Sequence, residues 1–178
     1  EERTFSAADR IVAEVKNRTQ AAGKIILFGH SAGGQFVHRW ALLGGKKNVD
    51  VIAVANSGWF TMPDRDIDYP YGIKNVGITD EELGEAFAKP VILFMGEKDV
   101  ERKPPFRDTP EADAQGMNRM ERCMNYFRQC KAKAEELRVL FRWKLEIVEG
   151  TAHQGVKMAE GAAAYIFGKS SEDGNRRV

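Results

Sequence analysis

Gly29-His30-Ser31-Ala32-Gly33-Gly34 places a serine between glycines two positions before and two after it. The apolar run Lys24-Ile25-Ile26-Leu27-Phe28 leads directly into it, and a segment with helical spacing leads out. That is the strand-to-helix context in which a G-x-S-x-G turn holds a nucleophile: the serine occupies a strained turn, the glycines let strand and helix backbones pass closely, and Oγ projects above the sheet. The helix that begins there aims its free N–H groups and positive dipole end at the same point, which favours the oxyanion of an acyl-transfer intermediate. A serine hydroxyl is a poor nucleophile unless a base takes its proton and a carboxylate orients the base. Asp99, in Met95-Gly96-Glu97-Lys98-Asp99, and His153, in Glu149-Gly150-Thr151-Ala152-His153, supply those types in the order Ser, Asp, His. Glu97 and Glu101 stand close enough in sequence to be alternatives to Asp99 as the acid. Of the three histidines, His38 is expected on the solvent face of the helix after the serine. His30, beside Ser31, is expected to line the site, and His153 is the one in a post-strand loop.

The elements around these residues follow from periodicity. Phe5, Ala8, Val12, Val15 and Ala22 recur at helical spacing, with Ser6 and Asp9 as a capping pair and Gly23 as a stop. Lys24 to Phe28, Val51 to Ala55 and Val91 to Met95 are unbroken apolar runs, which predicts strands covered on both faces, as in a parallel sheet. Phe36, Val37, Trp40, Ala41 and Leu43 mark a helix ending at Gly44-Gly45. Thr79 and Glu82 have capping-box spacing before Leu83, Ala86 and Phe87, and Pro90 closes that helix. Met117, Met120, Met124, Phe127, Ala134 and Leu137 mark a long amphipathic helix whose methionines are expected to fill the core. Arg142 to Ile147 alternates and suits a sheet edge, and a last helix carries Val156, Ala159, Ala163, Ile166 and Phe167. Residues 170–178 form a polar tail. The expected fold is α/β, one domain over 1–169 with a parallel sheet of about four strands and helices on both faces. Each of the three candidates then lies just past the C-terminal end of a strand, the edge where open α/β sheets build their sites.

Composition narrows the partners. With Lys+Arg 27 against Asp+Glu 26 in 178 residues, the formal charge is +1 and both signs are scattered, so nothing favours a polyanion such as nucleic acid. No apolar run approaches the roughly 18 residues of a membrane span. Cys123 and Cys130 are seven apart on a helix, about 10 Å of rise, beyond the ~7 Å that a disulfide tolerates. They read as small hydrophobes. Asp64, Asp66 and Asp68 mimic the start of a calcium loop, but Tyr69 stands where its glycine belongs and Asn75 where its glutamate belongs. Gly45-Lys46-Lys47 lacks both the earlier glycine and the Ser/Thr of a phosphate loop. With no C-x-x-C and no H-x-x-x-H, neither a metal nor another cofactor is expected.

From Asn56 to Gly77 the period disappears and aromatic residues, proline and glycine accumulate, the signature of a long functional loop. Trp59, Phe60, Tyr69 and Tyr71 there, with Phe106 further on, are candidates for an aromatic substrate pocket or, equally, for packing anchors.

The Gly29–Gly33 turn, the Asp99 loop and the His153 loop, in that order on that β/α pattern, resemble the C-terminal half of an α/β-hydrolase. More narrowly, residues 29–39 (Gly-His-Ser-Ala-Gly-Gly-Gln-Phe-Val-His-Arg), Asn56-Ser57-Gly58-Trp59-Phe60 with Met62-Pro63, Tyr69-Pro70-Tyr71-Gly72, and the Pro105 to Gly116 stretch resemble bacterial esterases related to polyhydroxyalkanoate depolymerases and feruloyl esterases. The resemblance implies that Ser31 attacks an ester carbonyl, that His153 shuttles the proton, that Asp99 orients His153 and that the Ala32 N–H is one oxyanion donor. Small-molecule or polymer esters are the implied substrates. A peptidase of the same fold and an inactive, ligand-binding relative are the alternatives.

In that family several strands and the loop with the second oxyanion donor precede the nucleophile turn. Here Ser31 stands near the start of the chain. The Lys24 to Phe28 strand, apolar on both faces, therefore has a neighbour at Val51 to Ala55 and an unpaired edge on the other side. The expectation is that an upstream segment or a companion chain pairs with that edge.

Overall fold

The structure, a computed structural model, describes residues 2–19, 23–44 and 49–168. Ala22, the Gly45-Lys46-Lys47 stretch and the polar tail lie outside them. Ten elements follow in order: α1 (Glu2–Thr19), β1 (Ile26–His30), α2 (Ala32–Leu43), β2 (Val51–Ala55), α3 (Asp80–Phe87), β3 (Val91–Gly96), α4 (Pro110–Asp113), α5 (Arg119–Glu136), β4 (Lys144–Val148) and α6 (Gly155–Gly168). The four strands form one sheet in the order β1-β2-β3-β4, and every pair is parallel. The α/β class and the strand order are those expected from the sequence.

The alternation of side chains along a strand explains why β2 and β3 read as unbroken apolar runs. Ile52, Val54, Val91, Leu93 and Met95 face one core, shared with Val37, Trp40 and Leu42 of α2, Leu83 and Phe87 of α3, and Cys123, Tyr126 and Cys130 of α5. Ala53, Ala55, Ile92 and Phe94 face the other, closed by Met158 and Ala162 of α6. Both cysteines are free and buried, as small hydrophobes would be. On α1, Phe5 and Val12 are buried while Ile11 and Val15 are exposed, and the Trp40 indole N–H ties α2 to α1 by donating to Asp9.

Local signals account for several boundaries. The Thr79–Glu82 box is complete: Thr79 Oγ1 accepts from the Glu82 N–H and Glu82 returns a bond to the Thr79 N–H. Asn118 caps α5 by accepting from the Glu121 N–H. The Ser6–Asp9 pair does not mark the start of α1, which is already helical from Glu2. Strand β1 does not stop at Phe28 but runs through Gly29 to His30, in register with Val54 and Ala55. Met117 and Met124 are about half exposed (53% and 45%) and so lie outside the core.

His38 departs most from expectation. It is fully buried, 0% exposed, because the 56–77 segment folds inward over α2. Its Nδ1–H donates to the Gly34 carbonyl at 3.0 Å, and its Nε2 accepts from the Thr61 N–H at 3.0 Å. A carbonyl can only accept and an amide can only donate, so the pair fixes one neutral tautomer. Burial pushes the imidazole down to about 3, from the ordinary 6.5. Between those values the unfolded chain binds a proton that the folded chain does not, so this contribution is complete above pH 6.5 and is lost as pH falls toward 3. His38→Gln should therefore flatten the acid side of a stability–pH curve by up to about 1.4 kcal/mol per pH unit. Urea unfolding at pH 7 and 5 checks this, and equal slopes in both proteins would contradict it.

Candidate active site

Ser31 sits in the turn between β1 and α2 with φ 55 and ψ −116, a left-handed conformation that costs a non-glycine residue energy and is typical of functional turns. Close packing enforces it. A Cβ on Gly29 would come within 2.4 Å of the Gly33 carbonyl oxygen and 2.7 Å of Val37, and one on Gly34 within 2.6 Å of Ser57 Oγ and 2.8 Å of the Ala55 carbonyl oxygen. Gly33 meets nothing within 4 Å. The steric requirement thus falls on Gly29 and Gly34 rather than on both glycines of the motif. The Ser31 N–H is fixed by the Ala55 carbonyl at 2.9 Å. Ala32 is the first residue of α2, and an α-helix leaves such an N–H without an intrahelical acceptor, pointing out past the serine.

The structure brings Ser31, His153 and Asp99 together across 122 and 54 residues of sequence. Ser31 Oγ lies 3.0 Å from His153 Nε2, and His153 Nδ1 lies 2.7 Å from Asp99 Oδ2. A carboxylate only accepts, so Nδ1 carries the proton and Nε2 is free to accept from the serine hydroxyl. Glu97 is elsewhere: its Oε2 accepts the Gly150 N–H at 2.8 Å and shapes the loop that carries His153. His30 stacks obliquely on His153, ring centroids 4.7 Å apart. Burial, and then the neighbouring His153, push its imidazole below the ordinary value.

Two residues that periodicity does not flag hold these loops. Asn56 ends β2 in a left-handed conformation, φ 45, which asparagine tolerates better than most residues. It is fully buried, its Oδ1 accepts the Gly96 N–H at 2.8 Å, and its Nδ2 donates to the Ala152 carbonyl at 3.0 Å. One amide thus clamps the end of β3 to the residue before His153. Gly96 is needed there because a Cβ would come within 2.5 Å of the Thr151 carbonyl oxygen. Asn56→Ala should destabilise the protein by about 2–4 kcal/mol, since two buried backbone groups lose their partners. It should lower activity more than a stability loss alone explains. Activity measured well below the variant's melting range checks this, and full activity there would contradict it. Arg119, on α5, donates from Nη1 to Asp99 Oδ1 at 3.1 Å and from Nη2 to the Pro105 carbonyl at 2.8 Å.

The aromatic candidates divide. Phe60 is fully buried and stacks on Tyr126 at 4.5 Å. Gln115 bonds both its N–H and its carbonyl as a neighbouring strand would. Phe60 is therefore a packing anchor of the core, the second of the two roles expected for it. Trp59 and Tyr71 pack together at 4.9 Å, with Arg39 at 5.2 Å and Arg107 at 5.7 Å from the indole ring. Tyr69 accepts a bond from Arg39. Ser31, Gln35 and Arg39 share one face of α2 at four-residue spacing, so Trp59, Tyr69 and Tyr71 lie along the helix that rises from the serine. Phe106 lies on the other side, half-buried between Arg102, Arg119 and Arg122, whose guanidinium carbons are 4.4–5.0 Å from its ring.

This arrangement has counterparts among solved structures. Poly(aspartic acid) hydrolase-1 from Sphingomonas sp. KT-1 superposes with a TM-score of 0.85 at 32% identity, over 92% of this chain and 62% of that one. LpqC, the poly(3-hydroxybutyrate) depolymerase from Bordetella parapertussis, superposes with a TM-score of 0.84 at 30% identity, over 93% of this chain and 57% of that one. The chain has an α/β-hydrolase fold related to that of depolymerases. It spans about six-tenths of the length of these two neighbours. No protein-family model matches it, and neither does any curated protein. Within this fold Ser31 stands in the turn between β1 and α2, and Asp99 and His153 follow β3 and β4. Among the described residues no group of three metal-binding side chains is present, and no helix is long and apolar enough to cross a membrane.

Proposed function

We propose that the protein is a serine hydrolase that cleaves carboxylic esters through an acyl-enzyme, with Ser31 as nucleophile, His153 as general base and acid, and Asp99 as the acid that orients it. The observation that carries this reading is the continuous hydrogen-bonded chain from Ser31 Oγ through His153 to Asp99 at the C-terminal edge of a parallel sheet. In the first half-reaction Ser31 Oγ attacks the ester carbonyl while His153 Nε2 takes its proton. The negative charge that forms on the carbonyl oxygen is met by the Ala32 N–H and the N-terminal end of α2. Collapse expels the alcohol, which receives the proton from His153 and leaves the acyl group on Ser31. Water activated by the same imidazole then releases the acid and restores the serine. Tyr69 is the partly exposed aromatic side chain for the acyl or alcohol part of the substrate, Trp59 and Tyr71 are buried with Ala112 as packing anchors, and His30 lies behind the base. Both neighbours are named for polymers, which supports a polymer or oligomer as substrate, and the poly(3-hydroxybutyrate) depolymerase is named for a polyester.

Amide cleavage is the second reading, and the poly(aspartic acid) hydrolase favours it because aspartic acid residues polymerise through amide bonds. Kinetics on a matched ester and amide of one short acyl chain test the choice. Ester turnover should exceed amide turnover by orders of magnitude, and comparable rates would overturn the ester assignment.

The edge of β1 bears on completeness. Among the described residues β1 pairs with β2 alone, and Ile26, Leu27 and Phe28 are only half-buried where every residue of β3 is buried. We propose that further polypeptide, an upstream segment or a companion chain, pairs with that edge and brings the second oxyanion donor. Intact mass and size-exclusion of the native protein test this. A stable, monodisperse monomer of these 178 residues with full activity would contradict it.

A further inference from the structure

The acid of the site carries a charge partner that neither strand ends nor turn motifs indicate. Asp99 is 3% exposed and Arg119 4%. The two Asp99 oxygens are divided: Oδ2 accepts from His153 and Oδ1 accepts from Arg119. Arg119 is held on three sides, by Asp99, by the Pro105 carbonyl and by the Phe106 ring 5.0 Å from its guanidinium carbon. Its Nε is buried with no partner among the described residues. Taking a carboxylate and a guanidinium out of water costs about as much as their attraction returns, so such a pair adds little to folding that an apolar pair would not. Arg122, one turn further along α5, is a contrast. Its guanidinium bonds the carbonyls of Gly58, Arg107 and Gly116 and the Asp113 carboxylate, which is the work of a structural clamp.

We propose that Arg119 is a positioning residue for the reaction: it fixes the rotation of Asp99 so that Oδ2 meets His153 Nδ1, and its positive charge limits how strongly Asp99 favours the protonated imidazole. The proposal rests on the triad reading above. A base that binds its proton too tightly is already protonated at working pH and cannot take one from Ser31. A carboxylate favours the protonated form of an imidazole beside it, and a cation on the carboxylate's other oxygen works against that. The other charged or titratable groups facing His153 act in known directions. His30, packed on its ring from β1, is pushed below its ordinary value by burial. Glu97, on the loop after β3, is engaged with the Gly150 N–H. Behind Arg119, Arg102 and Arg122 share Phe106 and are both paired with Asp113.

The test compares wild type with Arg119→Gln, Arg119→Met and Arg119→Lys in two measurements. One is the pH profile of kcat/KM on a short-chain aryl ester. The other is the downfield proton resonance of the His153–Asp99 hydrogen bond, which needs no turnover. The neutral variants should lower kcat about 10-fold or more with KM little changed, and should move the acid limb upward by roughly one pH unit, as expected when an opposite charge near a carboxylate is removed. They should also shift or broaden the downfield resonance. Arg119→Lys keeps the cation but cannot reach both Asp99 and Pro105, so kcat should fall while the acid limb stays in place. That arm stands even if neither neutral variant folds, and a limb that moves in Arg119→Lys overturns the proposal. So do neutral variants that fold with an unmoved limb and an unchanged resonance, since a merely structural arginine would lower activity without moving either. If wild type hydrolyses no ester, the triad reading fails, while the resonance still reports whether Arg119 sets the geometry of Asp99.

Discussion

Ser31→Ala is expected to lower kcat/KM on a short-chain aryl ester by about four to six orders of magnitude, to a residual set by binding and oxyanion stabilisation alone. The reason is chemical: without Oγ no acyl-enzyme forms, and His153 has no proton to take. The substitution should leave the fold intact. Among the described residues the Ser31 side chain bonds only to His153 Nε2, while its N–H bond to Ala55 belongs to the backbone and survives. Alanine meets the same left-handed backbone cost at φ 55 as serine does, so the melting temperature should change by no more than a few degrees. Turnover within tenfold of wild type would remove Ser31 from the mechanism.

Asp99→Asn is expected to cost about 10⁴ in kcat/KM, and Arg119 explains why the near-isosteric change is so damaging here. The Arg119 N–H donates to Oδ1, so an asparagine at 99 must turn its carbonyl oxygen toward Arg119 and its NH₂ toward His153. That NH₂ donates to Nδ1, which forces the proton onto Nε2, and the imidazole can then no longer accept from Ser31. Glu97→Gln is the comparison. Its amide oxygen can still accept the Gly150 N–H, so activity should stay within a few-fold of wild type. Should Glu97→Gln be the damaging change and Asp99→Asn the mild one, the acid is misassigned.

Much of this was legible in the sequence, for identifiable reasons. Strands β2 and β3 announce themselves because both faces are buried, and β1 because Leu27 and Phe28 pack, half-buried, against different cores, leaving apolar runs without alternation; β4 alternates because it stands at an edge. Ser31, Asp99 and His153 each follow a strand directly, so strand ends and residue types sufficed to nominate them. What stayed hidden depends on contacts between distant segments. His38 has the spacing of a surface residue, and its burial follows from the Thr61 N–H that arrives from the 56–77 segment. Phe60 sits in a stretch without period, yet Gln115 satisfies its backbone as a strand would and lets it enter the core. Arg119 carries no local signal at all. The one available hint was Asn56 itself, a residue tolerant of positive φ placed where β2 stops. Of the glycines, the motif drew attention to Gly33, whereas the contact that forbids a side chain is at Gly34, against Ser57 and Ala55.

The most direct measurement is covalent. A fluorophosphonate ester reacts with a serine only when a base activates it and an oxyanion hole receives the phosphoryl oxygen. Treating the native protein with a small excess of such a probe, then digesting it and sequencing the modified peptide by mass spectrometry, reports nucleophile activation without any assumption about substrate. The expected result is a single adduct on Ser31, absent in Ser31→Ala and strongly slowed in Asp99→Asn. A folded native protein that takes no adduct at Ser31, or takes it on another serine, would contradict the assignment and leave the chain an inactive, ligand-binding member of the fold.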